Sequence, residues 1–110
     1  MIIRLDKNDS KIVKDNKTYT LLDYTKLNNL VVSKTILHPE KHTNGHNHVG
    51  KEEVYHFVSG EGYIRVGDKD YPVSAGSVVL IPDGWFHKVW NPSEIEDLIF
   101  VCIFEGKRNH

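Results

Sequence analysis

Residues 46 to 60 read HNHVGKEEVYHFVSG: two histidines two apart, two glutamates, then an apolar run carrying a third histidine before a glycine. A further histidine, His87, stands in the stretch WFHKVWN. Imidazole nitrogens and carboxylate oxygens are ligands for divalent transition metals, and they also carry protons in acid–base catalysis. Whether they can act together depends on which way they point. Strand side chains alternate between faces, so residues two apart share one. His46 and His48 then point the same way, Glu53 goes with Tyr55 and Phe57, and His87 goes with Val89 and Asn91. If Phe57 and Val89 enter a core, Glu53 and His87 enter with them. A lone buried carboxylate would cost several kcal/mol or shift its pKa. A divalent cation removes that cost, since three neutral imidazoles and one carboxylate around it leave a net charge of +1. The plainer alternative is a solvated loop beside two incidental strand residues.

The elements that must position these groups read as strands. NLVVSKTIL (29–37), EVYHFV (53–58), GYIRV (62–66), DYPV (70–73), SVVLI (77–81), HKVW (87–90) and EDLIFVCIF (96–104) are short and rich in β-branched or aromatic residues. Turn-forming stretches separate them: SGEG, GDKD, SAG, PDG and NPS. VGDKDY reads as a hairpin with a four-residue turn, and Gly60 and Gly62 bracket a tight reversal where positive φ suits only glycine. KTYTLLDYTKL (17–27) fits a strand better than a short helix. Many short strands at close spacing predict a sandwich or barrel.

Composition sets the outer bounds. A chain of 110 residues suits one domain that folds without disulfides, and its one cysteine, Cys102, lies in the apolar run LIFVCIF. The net charge of −1 comes with no basic patch, so nucleic acid is not an expected partner. No apolar run has the length of a secretory signal's core or a membrane span, which predicts a soluble, cytoplasmic protein with no membrane partner.

The residues now carry a resemblance. The segment 46–60 resembles the first motif of the cupin superfamily, HxH, four residues, Glu, six residues, Gly, through His46, His48, Glu53 and Gly60. The segment 76–91, GSVVLIPDGWFHKVWN, resembles the second at Gly76, Pro82, Gly84, His87 and Asn91. Fifteen residues separate Gly60 from Gly76, enough for one hairpin. Two departures touch no ligand: Glu40 follows Pro39 where the family often has Pro-Gly, and Ser77 stands where aspartate is common. Glu53 keeps the motif spacings, whereas Glu52 breaks both and falls on the face of Val54 and His56.

The resemblance implies an all-β fold, a single cupin barrel (double-stranded β-helix, or jelly roll) over 29–110, with residues 1–28 adding an edge-strand segment to the same domain. It implies a metal site of His46, His48, Glu53 and His87 for a divalent transition metal: Fe, Mn, Ni, Co or Zn. The second motif and the strand after it are similar to the sugar-phosphate isomerase branch. An isomerase, epimerase or lyase acting on a small sugar, sugar acid or hydroxy-acid is therefore expected, with Glu53, Tyr55 or a mouth histidine moving the proton. An iron-dependent dioxygenase and a non-catalytic small-molecule-binding domain are the alternatives. Candidate substrate contacts are His38 and His42 at the barrel mouth, Trp85 as a stacking ring, and Arg65. Arg65 clamps an anion if it points inward and meets solvent if Ile64 and Val66 take the core. Asn91 is expected to brace the barrel and His56 to face away. Small cupins often associate through exposed strands, and Ile2, Ile3 and Leu5 could cover an edge of a second copy, giving a homodimer.

Overall fold

A computed structural model describes residues 1–106; the last four, including His110 and the end of the expected barrel domain, lie outside the described part. Nine strands and no helix occur among the described residues. They are β1 (Lys11–Asp15), β2 (Tyr19–Tyr24), β3 (Leu30–Leu37), β4 (Glu53–Ser59), β5 (Glu61–Val66), β6 (Lys69–Ser74), β7 (Val78–Ile81), β8 (His87–Trp90) and β9 (Leu98–Glu105). All pair antiparallel. One sheet has six strands in the order β1-β2-β3-β9-β4-β7, and the other has three in the order β6-β5-β8. This is the all-β jelly-roll barrel that the strand pattern and the cupin motifs predict.

Period-two burial fixes which face of each strand enters the core. In β9 the residues Leu98, Phe100, Cys102 and Phe104 are buried, and those between them are not. In β4 the buried set is Glu53, Tyr55 and Phe57, while His56 is exposed, as its opposite phase requires. The core joins these to Leu37, Ile64, Val66, Val73, Ile81 and Val89 from the other strands. Phe57 and Phe100 pack with ring centroids 5.1 Å apart, and each buries a side chain that contributes roughly 2–3 kcal/mol. Tyr55 stacks on Phe100 at 5.3 Å and extends this aromatic layer toward the start of β4.

Two turns differ from expectation. The β5–β6 hairpin pairs Val66 with Lys69, so Gly67 and Asp68 alone form the loop. Gly60 has φ +88°, as expected, but Gly62 is in an ordinary extended conformation. What constrains Gly62 is close approach: a Cβ there would run into the Trp90 carbonyl and the Leu98 side chain.

At the N-terminus, the expected strand within 17–27 is β2, and β1 adds a further edge. Ile2 and Ile3 are exposed, whereas the Leu5 carbonyl accepts a bond from Lys34 Nζ at 3.3 Å. Beyond β8, the Asn91 amide donates to the carbonyls of Leu37, His38 and Glu96 at 3.0, 3.2 and 2.8 Å, and Asn91 Oδ1 accepts from Ser93 N at 3.1 Å. Asn91 is 2% exposed, and its bond to the Leu37 carbonyl is fully buried. Asn91→Ala is expected to cost about 2–4 kcal/mol, because it leaves buried acceptors unsatisfied and opens a small cavity. Urea denaturation at neutral pH checks this, and a loss under 1 kcal/mol would deny Asn91 the bracing role.

Candidate metal centre

The histidine-bearing loop is held in register by β8. Thr43 N donates to Val89 O at 2.9 Å, Val89 N donates to Thr43 Oγ1 at 3.0 Å, and Asn91 N donates to Lys41 O at 2.8 Å. His46 and His87 exchange both backbone bonds, at 3.1 and 3.0 Å. Directly opposed antiparallel residues present their side chains on one face, so the two rings meet. Further along, Gly84 N donates to His48 O and Asn47 Nδ2 donates to Gly84 O, both at 3.0 Å. The Pro82–Gly84 turn and the loop thus clamp each other. Gly45 lets the loop cross the Phe86 ring, where its φ of +80° and the space a Cβ would need both exclude other residues.

The ligand atoms of His46, Glu53 and His87 lie within 4.8 Å of one another. Glu53 enters from the start of β4, with Phe104 and Ile81 opposite it on the two flanking strands. Its carboxylate is 2% exposed. Glu53 Oε2 is 3.0 Å from His87 Nε2, and His87 Nε2 is 3.0 Å from His46 Nε2. His48 stands on the flank, with Nδ1 3.2 Å from Glu53 Oε1 and its ring centroid 4.4 Å from that of His46.

These contacts fit a shared cation. His87 Nδ1 donates to the Trp85 carbonyl at 3.1 Å, which leaves Nε2 of a neutral ring as an acceptor facing the cluster. Glu53 Oε2 and His48 Nδ1 are shut off from solvent, yet neither makes a hydrogen bond of normal geometry. Ring nitrogens and carboxylate oxygens crowded together in this way are aimed at a common point. Burial works against ionising Glu53, but the close contact with His87, then the positive charge that His87, His48 and His46 bring when protonated, outweigh it. Its pKa is held below the ordinary carboxylate value, so it is available as an anionic ligand.

The cluster opens onto a cavity of about 600 Å³. Tyr55, Phe100, Cys102 and Phe104 form an aromatic and apolar wall, and Ser33, Thr35, Thr43 and Asn44 supply polar groups. Val13, Lys14, Tyr19 and Leu21 of the β1–β2 hairpin form another wall. Tyr55 is 5% exposed, and its ring centroid lies 5.6 Å from that of His87.

The expected substrate contacts are elsewhere. His38 pairs with Asp97 at 3.2 Å and lies beside the Asn91 brace, away from the cavity walls. His42 bridges to Trp90, and its Nδ1 is 2.9 Å from the Thr43 carbonyl. Ile64 and Val66 take the core, so Arg65 faces out; it binds Asp70 bidentately at 2.7 and 3.0 Å and rests over Trp90. Trp85 is 52% exposed and covers Gly67 rather than the cavity. Lys14, Ser33, Thr35, Thr43 and Asn44 went unassigned in the sequence. Only the period-two phase of β3 could have pointed to any of them, by placing Ser33 and Thr35 on the face of Leu37.

Comparison with known proteins agrees with fold and motifs. The Cupin_2 family model, described as a cupin domain, matches residues 34–104, and the chain belongs to that family. It is 28% identical over 74 residues to the uncharacterized protein MJ1618 of Methanocaldococcus jannaschii, covering 67% of this chain and 53% of the relative. The chain therefore spans about half the length of that relative. Among solved structures, KdgF from Halomonas sp. superposes with a TM-score of 0.80 at 12% identity, over 94% of each chain. An RmlC-like cupin from Shewanella frigidimarina also gives 0.80, at 17% identity over 94% of this chain and 90% of that one. The chain is thus a cupin whose His/Glu/His cluster can hold a metal ion.

Chelation should be visible as stability. At a metal concentration a hundredfold above Kd, binding contributes about 2.7 kcal/mol, or a rise in Tm of about 10 °C. EDTA treatment is expected to lower wild-type Tm by this order. His87→Ala and Glu53→Gln are expected to fold, to retain well under 0.1 metal per chain by elemental analysis (about one in the wild type), and to ignore EDTA. Full stoichiometry in both variants would overturn the assignment.

Proposed function

We propose that this cupin is a metal-dependent enzyme that isomerises, epimerises or eliminates within a small sugar, sugar acid or hydroxy-acid. The metal would be held by His46, Glu53 and His87, with His48 completing the set. The observation that carries this is the position of the cluster: Glu53 and His87 are buried while His46 is exposed, and the group opens into a cavity of about 600 Å³. Sites that serve only structure are closed, whereas catalytic ones keep room for substrate. The cavity's volume and mixed walls suit a small polar molecule.

A bound divalent ion supplies Lewis acidity toward vicinal substrate oxygens. The chain's own part is to hold and move the proton. Tyr55 lines the cavity close to His87, and its Oη is the proposed proton carrier. Glu53 is too enclosed for that task while the imidazoles hold it, and it serves as an anionic anchor. The stacked Phe100 fixes the Tyr55 ring, and Phe104 helps keep water from one side. Ser33, Thr35, Thr43 and Asn44 are the proposed hydroxyl-recognition groups.

Anaerobic incubation of the metal-loaded protein with sugar acids in D₂O tests this. Deuterium is expected at the carbon next to the carbonyl or carboxylate, and Tyr55→Phe should slow the exchange by roughly 10²–10⁴-fold. Oxygen consumption by iron-loaded protein without exchange would favour the dioxygenase, and binding without product would favour a non-catalytic role.

A second copy is the proposed macromolecular partner, since Ile2 and Ile3 lie exposed and β1 is an edge strand of the six-stranded sheet. Light scattering is expected to give twice the monomer mass, reverting to one on Ile2→Ser/Ile3→Ser substitution. A monomeric wild type would refute this.

A further inference from the structure

The β1–β2 ladder contains one irregularity, and it changes which side of the sheet a lysine occupies. Lys11 pairs with Asp23 and Ile12 with Leu22, but Lys14 pairs with Leu21 and Asp15 with Thr20. Val13 is the extra residue of a β-bulge. Without it, Lys14 would stand opposite Thr20, on the face of Leu22 and away from the cavity-lining Leu21. With it, Lys14 stands opposite Leu21, a cavity-lining residue, and both Val13 and Lys14 join the cavity wall. Bulges re-aim side chains in this way, and they are found at barrel rims and beside active sites.

Charge gives the re-aimed lysine a purpose. Among the described residues, Lys14 is the one lysine or arginine on the cavity wall and Glu53 the one acid. Glu53 is engaged by the imidazoles, and no carboxylate of the described residues forms an ion pair with Lys14. With a divalent ion the cluster carries net +1 beside β4, and the Lys14 ammonium stands on β1, separated from β4 in the sheet by β2, β3 and β9. We propose that Lys14 forms an anion subsite, so that the ligand is a small polyhydroxy acid with a second anionic group at the end remote from the metal. This rests on the chelating site proposed above and adds the ligand's second charge to it.

Gluconate and glucarate isolate that charge: both offer a 2-hydroxycarboxylate for chelation, and they differ at the far end, hydroxymethyl against carboxylate. Calorimetric titration of the zinc-loaded protein is expected to show glucarate binding about fivefold more tightly than gluconate, the size of a partly solvated ion pair. Lys14→Ala should reduce the preference to the roughly twofold that glucarate's two chelating ends give on statistics alone, without weakening gluconate. Lys14→Arg should keep the preference, and Lys17→Ala, an equal charge loss in the exposed β1–β2 turn, should leave it unchanged. Equal affinities in the wild type, no glucarate binding, a preference undiminished in Lys14→Ala, or an equal loss in Lys17→Ala would each overturn the subsite. Failure of the chelating site reads out separately, as gluconate affinity that is the same with zinc, without zinc and in His87→Ala.

Discussion

The burial of one carboxylate organises this end of the barrel. Glu53 sits at the mouth of an apolar interior, cut off from water, between the flanking strands β7 and β9. Removing a carboxylate from water is among the larger costs a small domain can carry. Here it is offset by rings delivered from two other parts of the chain. That requirement explains why the loop before β4 is not free: it must bring His46 against His87, and it does so with backbone bonds to β8 rather than by side-chain packing alone. The rings in turn need a partner for their own lone pairs, which a cation supplies.

Strand β8 shows how opposite ends of the barrel are used. Its first residue, His87, faces the cluster, and just past its last residue Asn91 gathers three carbonyls into a closed knot. His38 belongs to that closed end, where Asp97 engages it. The division is one of solvation: the knotted end satisfies its polar groups internally, while the mouth leaves polar groups turned toward a cavity. The pairing of His46 with His87 therefore has a fixed scaffold behind it, since β8 is anchored at the far side.

Much of this was legible in the residues. Alternation in EVYHFV and LIFVCIF fixes the inner faces of β4 and β9, and the spacing of two motifs gives the ligand set its order. Placement beyond the strands was not. His38 and His42 share a loop with His46, but only the pairing partners of that loop decide which end of the barrel each one reaches. Arg65 and Trp85 flank well-predicted elements, and their direction depends on which neighbours fill the core. The bulge at Val13 leaves no trace in KIVKD, because an extra residue in a ladder is a property of the pair of strands and not of either one.

The family match begins at residue 34, whereas Val13, Lys14, Tyr19, Leu21 and Ser33 of the cavity wall precede it. The His/Glu/His cluster and the hairpin wall of the cavity are thus written in different stretches of the chain. A hairpin at the sheet's edge can lose or gain a residue without disturbing the ladder that aligns the histidines. Divergence in ligand choice among such proteins can then proceed at the border of the domain while its chemistry stays constant.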